Sequence, residues 1–220
     1  MKKDKSNTFM RRFFPAIFVI GRGIRLLFDE KSYYVEIGYV RSIRRRQPMT
    51  RDGAPLPWMN YGIIDLLNDR LHRGLHLFEY GSGNSTWYYA GKAASVTSIE
   101  HNRSWYEHVN SSKRDNVTIK YVDIDNLDAY TQAIQNQGKQ FDVVIVDGRE
   151  RVKCLQASAA GISEQGVIIL DDSNRDHYRD GVEWMLSRGF RKLDFKGLKP
   201  GGIRAHQSSI FYRDNNCFNL

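Results

Sequence analysis

A glycine-rich turn preceded by an acidic residue carries the most explicit chemistry in the sequence. The run EYGSGNS occupies residues 79–85 and follows a short apolar stretch. Gly81 and Gly83 allow a sharp turn and close approach to a ligand, because neither has a Cβ atom. Backbone amides of such a turn, and of a helix that it opens, can donate to a carboxylate or a phosphate. The turn therefore predicts a site for a nucleotide-containing ligand.

Acids at the ends of the neighbouring predicted strands narrow the class of ligand. A dinucleotide fingerprint would place a third glycine where this chain has Thr86. Glu79 would repel a pyrophosphate but suits the ammonium of an amino-acid group. Glu100 ends the second strand, at the height where an acid accepts both hydroxyls of a ribose. Asp123 closes the third strand and can accept from an adenine amino group.

Further acids follow the fourth and fifth predicted strands. Asp147 and Asp171 are predicted catalytic residues, and with Asp172 they can supply the carboxylates that Mg²⁺ prefers. A metal there would lower the pKa of an acceptor hydroxyl. Without a metal, one of these acids, His177 or His206 can act as general base. A third interpretation is that the acid pair only caps the following helix.

These residues must be positioned by an alternating pattern of strands and helices. Five apolar runs, at residues 75–80, 96–100, 117–124, 141–147 and 166–171, alternate with helical stretches at 85–94, 103–111, 127–137, 152–160 and 174–187. A helix over 58–72 precedes them, and residues 190–195 and 208–213 predict two strands joined by the Gly/Pro-rich segment 197–202. The pattern predicts a doubly wound, mostly parallel α/β sheet of seven strands with an antiparallel C-terminal strand.

The distribution of charge separates two parts of the chain. Residues 1–50 hold 12 Lys/Arg against 4 Asp/Glu, whereas residues 51–220 hold 21 of each. We therefore predict a basic, partly helical extension over 1–50 and a ligand-binding domain over 51–220. Because the basic excess lies outside the predicted site, the charge distribution argues against nucleic acid as a partner. Two cysteines without a CxxC pattern favour a reducing, cytoplasmic location.

An apolar stretch within residues 8–28 leaves two interpretations open. Residues 13–20 read FFPAIFVI, which is far shorter than the roughly 20 residues that cross a bilayer. One interpretation is a basic amphipathic helix on the anionic inner face of a membrane. The other is a helix packed on the domain or on a second subunit as a homo-oligomer contact.

Three runs carry a resemblance to a known family. LFEYGSGNST, VTSIEHNRSWY and FDVVIVDGRER resemble motifs of class I S-adenosylmethionine-dependent methyltransferases, and most resemble a bacterial subgroup with an FEYGSG-ST turn. The similarity extends over about residues 38–215. It implies a Rossmann-like fold, S-adenosylmethionine as cofactor and methyl transfer as the reaction.

The resemblance also implies roles for individual residues. The loop at the methionine end would consist of Glu79, Gly81, Ser82, Gly83 and Ser85. Glu100 would bind the ribose, and Asp123 with His101 would flank the adenine. Asp147 would close the methionine end of the pocket. Tyr61, in an upstream helix, would either cover the cofactor or pack in the core.

The acceptor is the least determined part of the prediction. O-methylation of a small molecule or glycan is expected, and the glycan is suggested by resemblance to proteins of bacterial surface-glycan biosynthesis. Asp147 and Asp171 resemble the metal ligands of catechol-type methyltransferases. In that arrangement an Asn follows the acid of the fifth strand, whereas this chain has Asp172. Two alternatives remain. One is a nucleotide-dependent oxidoreductase of the NAD type, and the other is a non-catalytic module that binds partners through its basic N-terminus.

Overall fold

The sheet of the computed structural model, which describes residue 12 and residues 14–220, has seven strands in the order β3-β2-β1-β4-β5-β7-β6. The strands are β1 His76–Tyr80, β2 Ser95–Glu100, β3 Val117–Tyr121, β4 Phe141–Val146, β5 Ile162–Asp171, β6 Arg191–Leu198 and β7 Ala205–Tyr212. The first five strands pair in parallel, and β7 runs antiparallel to both of its neighbours. The predicted fold class is confirmed.

Nine helices and two 3₁₀ segments complete the described part of the chain. The helices are α1 Pro15–Phe28, α2 Tyr33–Glu36, α3 Tyr39–Arg45, α4 Tyr61–Arg70, α5 Asn84–Ala90, α6 Arg103–Ser111, α7 Leu127–Thr131, α8 Arg151–Gly161 and α9 Arg179–Ser187. The 3₁₀ segments are Gln132–Gln137 and Asp176–Tyr178. No helix in this range combines the length and the hydropathy needed to cross a membrane.

Helices cover both faces of the sheet, so the central strands are apolar throughout. In β4 every residue but one is fully buried, as expected for a parallel strand between two helical layers. Ile63 and Tyr89 belong to the core on one face, whereas Tyr130, Leu155 and Met185 belong to the core on the other. The polar ends of these strands meet along one edge, which therefore carries the candidate site.

The structure corrects the start of the helix predicted over residues 174–187, which begins at Arg179. Asp172 adopts a left-handed conformation with φ of 53°, and the Arg175 amide donates to its carbonyl oxygen at 3.1 Å. The chain therefore turns after β5, passes through a 3₁₀ segment and enters α9 only after Tyr178, which is the N-cap. The predicted helix over 127–137 likewise divides into α7 and a 3₁₀ segment.

Part of the predicted extension packs against the domain. Tyr39 is buried in the core, and its hydroxyl donates to the Gly202 carbonyl at 2.9 Å. Ser42 is also buried, and its hydroxyl exchanges hydrogen bonds with the backbone of Met49 at 3.1 Å. The segment from residue 39 to residue 50 is thus fixed on the domain, while the boundary at residue 50 stays a prediction.

Candidate functional site

The glycine turn after β1 has positive φ values that its two glycines allow. Gly81 and Gly83 have φ values of 102° and 150°, which side-chain-bearing residues rarely adopt. The Gly83 amide donates to the Thr86 hydroxyl at 2.9 Å. The Trp105 indole donates to the Ser82 carbonyl at 2.7 Å and leaves little room for a Cβ atom at Gly83. Thr86 and Trp105 therefore fix the shape of the turn.

Glu79 lies beneath the turn in a shell of hydroxyl groups. It is 2% exposed and accepts from Ser98 at 2.5 Å, from Ser85 at 3.2 Å and from Thr86. Burial raises the pKa of Glu79 to about 7, although the three hydroxyls oppose that rise. Because all of its partners are neutral, this acid binds the turn to the sheet without a buried ion pair.

Glu100, at the end of β2, is held by backbone amides. Its Oε1 accepts from the amides of His101 at 2.9 Å and Asn102 at 2.8 Å. Its Oε2 accepts from the Ser82 hydroxyl at 2.8 Å. The carboxylate is therefore fixed in direction, and one of its oxygens already binds a hydroxyl group.

These groups surround a cavity of about 500 Å³ at the carboxyl ends of β1, β2 and β4. Seven predicted residues line it together, namely Glu79, Gly81, Ser82, Ser85, Glu100, His101 and Asp147. The His101 Nδ1 atom is buried without a hydrogen-bond partner among the described residues, 3.1 Å from Glu100 Oε1. The turn, the acid of β2 and the acid of β4 thus form one site.

Three predicted cofactor residues do not line this cavity, namely Gly83, Tyr61 and Asp123. Gly83 is covered by the Trp105 ring. Tyr61, the first residue of α4, is 7% exposed and packs in the core, so the core interpretation of Tyr61 agrees with its position. Asp123 follows β3 at the surface, where the Asp125 amide and the Tyr121 hydroxyl donate to it and lower its pKa. Neither Tyr61 nor Asp123 forms a hydrogen bond with the glycine turn in the described part of the chain.

A second polar cluster lies at the ends of β4 and β5, and its acids have cationic partners. Arg151 donates to Asp147 Oδ1 at 2.8 Å and to the Asp171 carbonyl at 2.6 Å. Burial and the nearby Asp171 carboxylate raise the pKa of Asp147, while Arg151 and Lys199 oppose that rise. Arg151 is thus paired with Asp147.

Lys199, from the β6–β7 connection, bridges Asp171 and Asp172 at the end of β5. Its Nζ lies 2.6 Å from Asp171 Oδ2 and 2.9 Å from Asp172 Oδ1. Asp172 also contacts Arg175, and its Oδ1 lies 2.9 Å from His206 Nδ1. Although burial opposes ionisation, these partners lower the pKa of Asp172 to about 2.

This arrangement does not support the predicted Mg²⁺ site at Asp147, Asp171 and Asp172. Asp171 is 1% exposed, and Lys199 and Ser208 already contact its two carboxylate oxygens. The ammonium of Lys199 occupies the position between the carboxylates that a cation would need. Within residues 12 and 14–220, no group of three or more acids, histidines or cysteines has an arrangement that could hold a metal ion.

Comparison with solved structures establishes the fold. Precorrin-8w decarboxylase from Methanobacterium thermoautotrophicum is 17% identical with a TM-score of 0.53, over 69% of this chain and 87% of that one. The N-methyltransferase NodS from Bradyrhizobium japonicum WM9 is 10% identical with a TM-score of 0.50, over 69% and 92%. A methyltransferase-like protein from Silicibacter pomeroyi DSS-3 is 24% identical with a TM-score of 0.50, over 72% and 90%. The chain has the Rossmann-like methyltransferase fold.

Sequence comparison adds no family assignment, since no protein-family model and no curated protein matches the chain. In a Rossmann-like sheet, ligands bind outside the carboxyl ends of the strands, and the cavity beside Gly81 has that position. At these levels of identity the likeness concerns the fold, and the activity has to be argued from the site itself.

Sequence reasoning missed two residues that shape this edge. Trp105 had a usable signal, since an aromatic residue shortly after Glu100 opens the next helix above the turn. Lys199 had none, because its neighbours in sequence are a Gly/Pro-rich turn and its partners are 27 or more residues away. His177 is exposed and contacts the Tyr178 ring edge to face, with ring centroids 4.1 Å apart.

Proposed function

We propose that the chain is an S-adenosylmethionine-dependent methyltransferase that methylates an oxygen atom of a small-molecule or glycan acceptor. The observation that carries the proposal is the cavity that Glu100 shares with Gly81 and Ser82 of the glycine turn. A carboxylate fixed by two backbone amides suits the two hydroxyls of a ribose, and Gly81, which has no side chain, leaves room for the adjoining part of the ligand. A cavity of about 500 Å³ suits a ligand of that size.

The residues at the ribose position fit such a ligand. Ser82 donates to Glu100 Oε2, so this oxygen is already oriented toward a hydroxyl donor. We expect a ribose hydroxyl to take over that hydrogen bond, with the second hydroxyl donating to Oε1. His101 lies beside them and would contact the base.

At the methionine end, Asp147 is better placed than Glu79 to bind an ammonium group. Glu79 is enclosed by hydroxyls, whereas the Asp147 side chain is 30% exposed and lines the cavity. A Cβ atom built on Gly81 would lie 3.6 Å from the Asp147 carbonyl group, so the two residues are adjacent. When bound, S-adenosylmethionine would supply the methyl group from its sulfonium centre.

His206 is the residue that we assign as general base toward the acceptor. Its Nδ1 is 2.9 Å from Asp172, whose low pKa keeps the carboxylate ionised near neutral pH. When the Nδ1–H group donates a hydrogen bond to Asp172, the unprotonated Nε2 can accept a proton from a hydroxyl. Since the side chain is 35% exposed at the start of β7, an acceptor can reach it.

The decisive test is calorimetric titration of the full chain with S-adenosylmethionine, S-adenosylhomocysteine and NAD⁺. We expect the two adenosyl ligands to bind and NAD⁺ to show no heat of binding. Binding of NAD⁺ alone would favour the oxidoreductase alternative. Binding of none of the three would favour the non-catalytic module.

Turnover is then measured with methyl-labelled cofactor and a panel of sugar and phenolic acceptors. His206→Asn should lower kcat by about 10²-fold, with S-adenosylhomocysteine affinity unchanged. Because Lys199 already neutralises the acid pair, a chelator should leave turnover unchanged. Loss of activity in chelator would instead restore a metal-dependent mechanism.

A further inference from the structure

Helix α1 presents an apolar face to solvent. None of the residues from Pro15 to Phe28 is buried. Ile17, Ile20, Ile24 and Phe28 recur at the spacing of one helical face, and they are 56%, 62%, 54% and 61% exposed. A contiguous apolar surface of this kind marks an interaction site in a soluble or peripheral protein.

Helix α3 presents arginines beside α1 and is anchored rigidly. Its inner residues Tyr39 and Ser42 are buried. Tyr39 donates to the Gly202 carbonyl and Ser42 exchanges hydrogen bonds with the Met49 backbone, so the helix cannot shift without breaking these contacts. Arg41, Arg44 and Arg45 are exposed on its outer side.

A groove of about 430 Å³ joins α1 to these arginines. Its apolar part comes from Leu27 and Phe28 at the end of α1, together with Val35 and Val40. Its charged part is formed by four arginines, Arg41, Arg44, Arg45 and Arg51. A groove with this composition suits an anionic amphiphile, whose head group meets the guanidinium groups while its chain meets the apolar residues.

The positive charge of this surface is not neutralised locally. Arg22, Arg25, Arg44 and Arg45 form no salt bridge with any acid in the described part of the chain. In sequence, residues 1–50 contain 12 basic and 4 acidic residues, which accounts for the net charge of +8. The surface is therefore complementary to a negatively charged partner.

We propose that α1 and the arginine groove form a docking surface for an anionic lipid bilayer, with α1 lying in the plane of the interface. With 14 residues, α1 is too short to cross a bilayer, which takes roughly 20. An apolar face flanked by arginines is the composition of an interfacial helix. A second copy of the chain fits less well, because pairing of like surfaces would bring uncompensated arginines together.

Docking would also orient the cavity of the site. Pro48 lies close after Arg44 and Arg45 in sequence, and its carbonyl accepts from Asn84 at 3.2 Å, directly after the glycine turn. The membrane surface would therefore lie near the cavity, which suits an acceptor carried on a lipid. This orientation argument rests on the proposed function, whereas docking itself does not.

Flotation of the full chain with vesicles tests the proposal. We expect binding to vesicles of phosphatidylcholine with 30% phosphatidylglycerol, and little binding to phosphatidylcholine alone. Ile17→Ser with Ile24→Ser should abolish binding. Arg44→Gln with Arg45→Gln should weaken it roughly 30-fold, because each arginine near an anionic surface contributes about five-fold.

Matched variants elsewhere on the surface test whether the location of the substituted residues matters, or only their charge and hydrophobicity. Arg188→Gln with Arg191→Gln changes net charge equally, and Leu186→Ser removes an exposed apolar side chain from α9. Both should bind vesicles as the unmodified chain does. Thermal unfolding should be unchanged by the α1 substitutions, since α1 buries no side chain.

Three outcomes would overturn the proposal. The first is absence of binding by the full chain to either vesicle. The second is equal weakening by the two arginine pairs, which would show that only net charge matters. The third is a dimer in sedimentation that Ile17→Ser with Ile24→Ser dissociates, without vesicle binding, which would assign α1 to a second copy.

Discussion

The two halves of the site edge hold their acids in opposite ways. At the ends of β1 and β2, Glu79 and Glu100 accept only from hydroxyls and backbone amides. At the end of β5, Asp171 and Asp172 are bridged by the Lys199 ammonium. Neutral donors leave a carboxylate able to exchange one partner for a ligand hydroxyl. A buried cation instead locks the carboxylate into the structure. The first half is therefore suited to binding a ligand, and the second to fixing the position of neighbouring side chains, His206 among them.

The largest effect is expected where the cation is removed. Lys199→Met leaves Asp171 and Asp172 buried without their shared partner, which should lower the free energy of unfolding by about 3–5 kcal/mol. Urea denaturation at pH 7 measures this change. Lys196→Met, on the exposed side of β6, is the matched control and should change stability by less than about 0.5 kcal/mol. Equal stability of the two variants would show that Lys199 does not lock Asp171 and Asp172 into the structure.

Glu79 should give the chain a pH dependence that the lysine-bridged acids do not. Its folded pKa, about 7, lies above the ordinary value of 4.5, so protonation stabilises the fold. The stabilisation is complete below pH 4.5 and is lost as pH rises through 7. At about 1.36 kcal/mol per pKa unit, the loss is about 3 kcal/mol.

Glu79→Gln removes this titration, and unfolding at pH 4.5 and pH 7.5 measures it. The difference between the two pH values should be about 3 kcal/mol smaller in the variant than in the unmodified chain. Glu107→Gln, on the surface of α6, should leave the difference as it is. An unchanged difference in Glu79→Gln would mean that Glu79 is ionised throughout.

Glu100→Gln tests the role of Glu100 in ligand binding. Gln keeps Oε1 for the amides of His101 and Asn102, while its Nε2 replaces the oxygen that meets Ser82. Loss of a charge-assisted hydrogen bond to the ribose should weaken S-adenosylhomocysteine binding by about 2 kcal/mol, or roughly 30-fold. Calorimetry measures the affinity, with Glu107→Gln again as control. Undiminished affinity together with a normal melting temperature would contradict the ribose assignment.

The smallest expected effect concerns the indole above the turn. Trp105→Phe keeps the ring but loses the 2.7 Å hydrogen bond to the Ser82 carbonyl. Binding of S-adenosylhomocysteine should weaken by about 1 kcal/mol, because the turn is less well held. Trp58→Phe alters an exposed tryptophan that does not line the cavity and serves as the comparison. Equal affinities in the two variants would assign Trp105 to surface packing alone.

The sequence alone determined the sheet and its ligand-binding edge. Continuous apolar runs such as FDVVIVD can only be buried between two helical layers, and the structure places that run at β4. The positive φ values of Gly81 and Gly83 were likewise predictable, since glycine is the residue that adopts them without penalty. Local pattern sufficed in both cases because the cause is local.

Only the tertiary structure decided the partners of the acids. Thr86 was read as the absence of a third glycine, yet its hydroxyl binds both Glu79 and the Gly83 amide. Lys199 reaches Asp171 across 28 residues because β7 lies beside β5 and brings the preceding loop to the strand ends. Whether a carboxylate can bind a metal, a ligand or a lysine depends on which side chains share its space, and packing rather than spacing sets that.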